Sequence, residues 1–382
     1  MDFRLTEEHR MVQSMVREFA SREILPAAAQ LDHSGTFPQE ILKKAAGLGL
    51  MGMLVPESYG GTGMDAISYV VAQEELARAS AGVQTIITVN NSLVADPIAR
   101  YGTEAQKRNY LPGLCNGIRL GCYCLTEPSS GSDAMSLSTS ARRSGDEWVL
   151  RGTKVFVTNG VEADVCIVYA RTGPDAGARG ISAFIVEKSF PGIAVGKVEK
   201  KLGIKCSSTS EILLDDCRVP EDNLLGEPGI GGKIALSTLD GGRLGIAGQA
   251  IGIARAALED SVAYATERLQ FGRPIGEFQA IQWMLADMAT RIEAARLLMY
   301  RAAYVRQQGQ RFTKEASMAK LFASETAMWT THKAVQIHGG YGYLQDYAVE
   351  RYFRDAKITE IYEGTSEIQR LVIARNILKT RQ

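Results

Sequence analysis

Glu147-Trp148-Val149-Leu150-Arg151-Gly152-Thr153-Lys154-Val155-Phe156-Val157-Thr158-Asn159-Gly160 is the stretch that decides the fold. Apolar and polar residues alternate from Trp148 to Thr158, the period of a half-buried strand. Gly152 falls near a bend, and Asn159-Gly160 is a strong turn signal. Short β-rich runs continue on both sides, from about Leu120 to Val219. They are GCYCLTE (121–127), DVCIVYAR (164–171), GISAFIVEK (180–188), GIAVGKVE (192–199) and SEILLDDCRVP (210–220). Strands at this spacing predict a barrel or sandwich of about 100 residues.

The flanks change period. Met11, Met15, Phe19 and Ile24 recur at near-helical spacing, as do Ile41, Leu42, Ala45 and Ala46. Breakers cluster at Pro56, Gly60, Gly61 and Gly63. A second helical region then runs from Val70 through Ile86 and Leu93. Beyond the β region, four amphipathic segments follow. Their apolar faces are Ile246/Ala250/Ile253/Ala257, Ile281/Leu285/Met288/Ile292, Ala316 to Val335, and Ile368/Leu371/Val372/Leu378. Such segments with short connections predict a four-helix bundle. The expected fold class is therefore α+β and multidomain. An all-α N-terminal domain covers 1–118, a β-barrel or sandwich domain 119–225, and a C-terminal four-helix bundle 226–382.

Composition narrows the function. The chain has 382 residues with 43 Lys plus Arg against 43 Asp plus Glu, so its formal charge is zero. That balance argues against a nucleic-acid coat or a polybasic membrane binder. The longest charge-free run, Ala79 to Ala95, contains Gln84, Asn90, Asn91 and four hydroxyl residues. It falls short of the roughly 20 apolar residues of a membrane span. The N-terminus carries acidic residues and no apolar core, so no secretory or transit signal is read and a cytoplasmic location is expected. The cysteines at 115, 122, 124, 166, 206 and 217 form no C-x-x-C pair, which suggests reduced thiols. Cys122 and Cys124 would share one strand face. The four histidines show no metal-ligand spacing, so no metal is expected.

Gly47-Leu48-Gly49-Leu50-Met51-Gly52 fits G-x-G-x-x-G, but a helical pattern precedes it and the Val55-Pro56 turn follows. It reads as a helix end, not a dinucleotide site. No Walker A or G-x-S-x-G sequence is present. Five other stretches carry chemistry. Tyr123 to Asp133 (YCLTEPSSGSD) leads a strand into a loop of hydroxyls and small residues. It can offer donors to a heteroaromatic ring or a phosphate, or simply close a strand. Phe156-Val157-Thr158-Asn159-Gly160 sets an aromatic beside a hydroxyl at a strand end. Arg268 in RLQFGRPIG (268–276) reads as a cation in the last helical turn or as a guanidinium aimed at a diphosphate. QIHGGYGY (336–343) follows a helix, with Gly339 as a C-cap or as a point of close backbone approach. In IYEGTSEIQ (361–369), Ser366 and Gln369 have capping-box spacing. Glu363 stands before that helix beside flexible Gly364, where burial between apolar neighbours would raise its pKa toward that of a general base.

Taken together and in this order, the five stretches resemble the acyl-CoA dehydrogenase family, specifically its short-chain, butyryl-CoA dehydrogenase-like branch, over essentially the whole chain. The resemblance implies FAD as cofactor. Tyr123, Cys124, Leu125, Thr126, Gly131 and Ser132 correspond to its flavin loop, with Thr126 near the pyrimidine edge. Phe156, Val157 and Thr158 correspond to the segment behind the ring, where the family more often has Trp at position 156. Arg268 and Gln279, with Gln336, Ile337, Gly339 and Gly340, resemble residues that reach the FAD of a neighbouring subunit. This implies a homotetramer. Thr365, Ser366 and Glu367 resemble further FAD contacts. Asp240 and Arg243 resemble residues near CoA, Ser132 and Gly364 resemble substrate contacts, and Gln249 and Thr359 resemble residues that close a short tail pocket. Glu363 resembles the base.

The implied reaction is α,β-dehydrogenation of a short acyl-CoA to the trans-2-enoyl-CoA. Glu363 takes the α-proton, flavin N5 takes the β-hydride, and electron-transferring flavoprotein is the acceptor. An acyl-CoA oxidase using oxygen and a non-catalytic scaffold of the same fold are the alternatives. Oxidases of the family are usually much longer, and a scaffold is expected to have lost the base or the flavin loops.

Overall fold

The computed structural model describes residues 4–173 and 177–379. Seven helices come first: α1 (Glu7–Phe19), α2 (Ala28–Ser34), α3 (Gln39–Gly47), α4 (Ala66–Ala79), α5 (Ala81–Thr88), α6 (Asp96–Tyr101) and α7 (Glu104–Cys115). Thr6 and Thr103 close capping boxes at α1 and α7. Gly47, the first glycine of the decoy motif, ends α3, and turns follow it. The charge-free run forms α5 and a π-helical turn, Val89–Ala95. From Ala81 on it is buried throughout, and its amides bond to main chain. Asn90 donates to Met51 O and Leu114 O, and Asn91 donates to Leu50 O. Polar residues in an uncharged helix thus mark deep burial among other chain segments.

The middle region holds β1 (Gly121–Cys124), β2 (Ser140–Ser144), β3 (Glu147–Thr158), β4 (Val165–Arg171), β5 (Ile181–Glu187), β6 (Ile193–Val198), β7 (Thr209–Pro220) and β8 (Leu224–Leu225). Their order is β6-β7-β3-β2-β4-β5-β8, with β1 added in parallel on β4. The sheet is mixed and curls without closing, so the barrel alternative gives way to an open sandwich-like arrangement. β2 and β4 meet at a single pair, Ser140 and Arg171. On β4, Cys166, Val168 and Ala170 pack among the β strands, while Val165, Ile167 and Tyr169 pack with Ile234 and Ala235 of a helix. Both faces are covered, which explains a continuous apolar run in place of alternation.

Two sequence expectations change here. Alternation in β3 breaks at register shifts between Leu150 and Gly152 and between Lys154 and Val157. Asn159-Gly160 does turn the chain, but β3 and β4 do not form a hairpin, because β2 lies between them. Asn159 adopts φ 64 and donates to Ile86 O of α5 and Gly121 O of β1, so the turn is fixed by contacts with these two elements.

The C-terminal region contains α8 (Gly231–Glu267), a small hairpin of β9 (Leu269–Gln270) and β10 (Arg273–Pro274), then α9 (Gln279–Gln307), α10 (Thr313–His338), α11 (Ala348–Thr359) and α12 (Ser366–Lys379). Five helices replace the expected four. The segment missed is α11, a short amphipathic helix between aromatic-rich turns. Arg268 is the residue after α8, not part of its last turn. Gly339 does cap α10, at φ 59. At α12 the cap moves one residue earlier: Thr365 Oγ1 accepts from Ile368 N–H, so the Ser366/Gln369 spacing is not the capping pair.

Among the described residues no helix is long and apolar enough to cross a membrane. All six cysteines are free and buried. Cys122 and Cys124 do share a face, and register with β4 brings Cys166 to them, with all three sulfurs within 4.8 Å of one another. Spacing along the chain could not show that third neighbour.

Candidate active site

A cavity of about 1140 Å³ lies between the β region and the C-terminal helices. Tyr123, Leu125, Thr126, Gly131, Ser132, Phe156 and Thr158 line one side, and Arg243, Glu363, Gly364 and Thr365 line another. Stretches some 200 positions apart in the chain therefore meet at one space.

Phe156 reaches the cavity because β3 bulges there. It has φ 57, a conformation costly for an aromatic residue, and 67% of its surface is exposed. A bulge of this kind re-aims a side chain that simple alternation would bury. The side chains of Val157 and Cys124 instead pack in the core of the β region.

The loop after β1 is anchored by a buried ion pair absent from the sequence reading. Lys154 Nζ donates to Glu127 Oε1 at 2.8 Å and to Leu125 O at 3.1 Å. Glu127 also accepts from Ser138 N–H at 2.6 Å and Thr139 N–H at 2.9 Å. Burial pushes the Glu127 carboxyl up, but Lys154 and these donors more than reverse it and hold it at about 2. Lys154 falls on the inward face of β3, where a lysine needs a partner. That was the available signal. Replacing Lys154 by Met should leave a buried unpaired carboxylate, a defect worth about 3–5 kcal/mol. The loop should loosen, and the variant should leave a desalting column with a much lower flavin-to-protein absorbance ratio than wild type. Full retention of flavin would show that the pair does not anchor the loop.

Glu363 ends the turn before α12 at φ 52, followed by Gly364 at φ 94. Its Oε2 is buried and has no hydrogen-bond partner. Burial pushes its carboxyl up to about 7, against the opposing cations of Lys320 and Arg243. A Cβ at Gly242 would come within 2.0 Å of Glu363 Oε2, so α8 must present glycine there. Arg243 is held by Asp240 Oδ1 at 2.6 Å and by Ser317, while its Nε is buried and unpartnered. Asp240 accepts from Thr313 as well and does not itself line the cavity.

Gln249 and Thr359 do not line the cavity either. Thr359 donates to Ala356 O within its helix. Gln249 donates to Thr85 Oγ1 at 2.7 Å and Ala81 O at 3.0 Å, and accepts from Tyr362 OH. Tyr362, Thr85, Thr88 and Ile246 form the wall, with Gln249 behind it. Chain order does not mark Tyr362 as a wall residue; its contact with Gln249 behind the cavity does.

Arg268, Gln279, Gln336, Ile337, Gly339 and Gly340 do not line this cavity, and neither do Ser366 and Glu367, although they follow the lining residue Thr365. Gln279, Gln336, Gly339 and Gly340 are exposed, and the Arg268 guanidinium lies over the Tyr341 ring at 5.3 Å.

A large cavity with a donor-rich loop, a forced-out aromatic and an unpartnered carboxylate of raised pKa has the features of a redox site that holds a flat cofactor beside a proton acceptor. The residues fit FAD: Thr126, Phe156 and Thr158 offer a face and an edge to its ring, and Ser132 and Thr365 offer hydroxyls. The acyl-CoA dehydrogenase N-terminal, middle and C-terminal domain families match residues 6–118, 122–217 and 229–378. The chain belongs to the acyl-CoA dehydrogenase family, and it is an FAD-dependent oxidoreductase. It is 50% identical to the short-chain specific acyl-CoA dehydrogenase of Clostridium acetobutylicum, covering 99% of this chain and 100% of that one. The butyryl-CoA dehydrogenase structure from Megasphaera elsdenii superimposes with a TM-score of 0.97 at 46% identity, covering 99% and 100%. A chain in a structure described as an electron transferring flavoprotein of Acidaminococcus fermentans superimposes at 0.98 with 49% identity, covering 99% and 100%.

Proposed function

We propose that this chain desaturates short acyl-CoA thioesters to trans-2-enoyl-CoA, with Glu363 as the base. The observation that carries this reading is the unpartnered Glu363 Oε2 in the same cavity as the flavin-loop stretches. FAD, when bound, supplies the acceptance of the β-hydride. The rest falls to the chain. The α-proton of a thioester is too weakly acidic for a carboxylate in water, so its removal needs stabilisation of the developing enolate. The Glu363 N–H has no acceptor among the described residues and is suited to donate to the thioester oxygen. Glu363 Oε2 receives the α-proton, and a carboxyl poised near neutrality both accepts and later releases it. The left-handed Glu363–Gly364 turn fixes where that oxygen sits. Arg243, held by Asp240, places a cation at the cavity wall for the CoA portion.

The acceptor is proposed to be an electron-transferring flavoprotein, supported by the likeness to the Acidaminococcus fermentans chain. The assembly is proposed to be a homotetramer in which Arg268, Gln279 and the 336–340 segment reach a neighbour's FAD. The exposure of Gln279, Gln336, Gly339 and Gly340, outside the lining of their own cavity, supports this, as does the apolar surface beside them, with Phe271 94% exposed.

The tail pocket supports a four-carbon preference. Each added buried CH₂ is worth about 0.8 kcal/mol in an open tunnel. Here the Tyr362–Gln249–Thr85 chain of hydrogen bonds blocks the end, because breaking it would strand buried polar groups. Anaerobic titration with acyl-CoAs of increasing length, following bleaching of the flavin band, should peak at butyryl and fall sharply beyond hexanoyl. Gln249→Gly should move the optimum to longer chains. An octanoyl optimum in the unmodified protein would defeat the pocket assignment. Absence of bleaching by any acyl-CoA would defeat the dehydrogenase reading, and peroxide release in air would turn it toward an oxidase.

A further inference from the structure

The geometry points to Lys320 as a positioning residue for the base: its buried ammonium holds the Gly364 carbonyl and thereby fixes the turn that carries Glu363 into the cavity. Lys320 lies in the N-terminal third of α10 and is 0% exposed. Lysine is rarely buried without a partner. Its Nζ donates to Gly364 O at 2.8 Å. Gln369 Nε2, from the first turns of α12, donates to the same oxygen at 2.8 Å and to Glu363 O at 3.1 Å.

Two consecutive carbonyls in a left-handed turn are thus gripped by side chains from two helices. Such a turn persists only where its surroundings over-determine it. With φ 52, Glu363 has no intrinsic reason to stay there. A Cβ on Gly364 would meet Gln369 Nε2 at 2.6 Å, so the clamp closes directly on the glycine.

The lysine also brings a charge to the turn. Burial pushes the Lys320 ammonium down to about 8, and the Glu363 carboxylate, with Glu360 and Glu367, works against that. Around Glu363 the cations are Lys320 on α10 and Arg243 on α8. Tyr69 on α4, Tyr123 on β1 and Tyr362 in the turn itself are uncharged, their hydroxyls raised by burial. Lys320 therefore does two separable things: it pins the backbone of the turn, and it favours the ionised base.

The proposal rests on Glu363 being the base, and two variants of the FAD-loaded enzyme test it. Lys320→Met removes the bond and the charge. Lys320→Gln keeps a donor for the Gly364 carbonyl without the charge. Both should keep the flavin band. In both, the apparent pKa that governs kcat/KM should rise by about one unit, because a cation beside the carboxylate is gone. At pH near 7, kcat should fall about 100-fold in Lys320→Met and about 10-fold in Lys320→Gln, with KM little changed. A merely structural lysine would lower stability without moving the pH profile. An unshifted profile in either variant overturns the charge role, and equal kcat in the two overturns the carbonyl grip. Should Lys320→Met fail to fold, Lys320→Gln alone still reads the profile. Glu363→Gln separates the two readings. If it reduces flavin at the wild-type rate, the base assignment falls. If it is inactive while both lysine variants keep the wild-type profile and kcat, only the positioning role falls.

Discussion

Glu363→Gln should retain FAD and bind acyl-CoA yet turn over about 10⁴-fold more slowly, the upper range for loss of a positioned general base. The amide fills the same space but accepts no proton. The raised carboxyl, near 7 in place of the usual 4.5, gives two opposite pH dependences. kcat/KM of the wild type should climb as pH rises through about 7, because the carboxylate is the active form. Stability should run the other way. The folded protein holds this proton more tightly than the unfolded chain, so the contribution is complete below 4.5 and lost as pH rises through about 7. The variant lacks this titration. Its Tm relative to wild type should therefore improve between about pH 5 and about pH 8. Flavin reduction by the variant at the wild-type rate would remove Glu363 from the base role. A Tm difference constant across that range would show that the carboxylate is not destabilised by burial.

A loss of stability as large as that of Lys154→Met is expected at residues outside the cavity lining. Glu74 and Glu75 on α4 are buried, and Arg255 of α8 bonds to both, with Nη1 at 2.8 Å from Glu74 and Nη2 at 2.5 Å from Glu75. Arg17 of α1 reaches Glu75, and Arg296 of α9 reaches Glu74 at 2.9 Å. This network ties the N-terminal helices to the C-terminal bundle. Arg255→Met should cost about 3–5 kcal/mol, since it leaves a buried carboxylate under-compensated. A clear drop in the denaturation midpoint near neutral pH would report it. Burial pushes the Glu75 carboxyl up from its usual 4.5, but Arg255 and Arg17 reverse this and hold it at about 2. A carboxyl depressed in this way stabilises the fold above 4.5, and the contribution fades as pH falls toward about 2. The gap between variant and wild type should therefore narrow in acid. A gap that is unchanged in acid, or absent at neutral pH, would show that the network contributes no net stability.

Much of the architecture was legible because each region has its own period. Helical spacing at Met11, Met15 and Phe19, alternation at Trp148 and Leu150, and the return to helical spacing at Ile246, Ala250 and Ile253 fix the α–β–α order. The hydrogen-bonding period and the side-chain period are the same property of the backbone. α11 was missed because its aromatic, glycine-rich surroundings read as loop. The open sheet was indistinct from a barrel because closure depends on which strand edges meet. Local alternation carries no information about that.

Residue types and their neighbours in the chain carried the family and the expected chemistry: a carboxylate beside a glycine before a helix, a hydroxyl-rich loop after a strand, and family motifs in order. Only the tertiary structure decided what each group feels. It turned Phe156 outward through a bulge, put Tyr362 between Gln249 and the cavity, and brought Cys166 to Cys122 and Cys124. It also buried Lys154 against Glu127 and Lys320 against Gly364. The physical reason is common to all five. Burial, desolvation and pairing depend on atoms contributed by distant segments, and a one-dimensional pattern records which groups are present but not which of them lose water together.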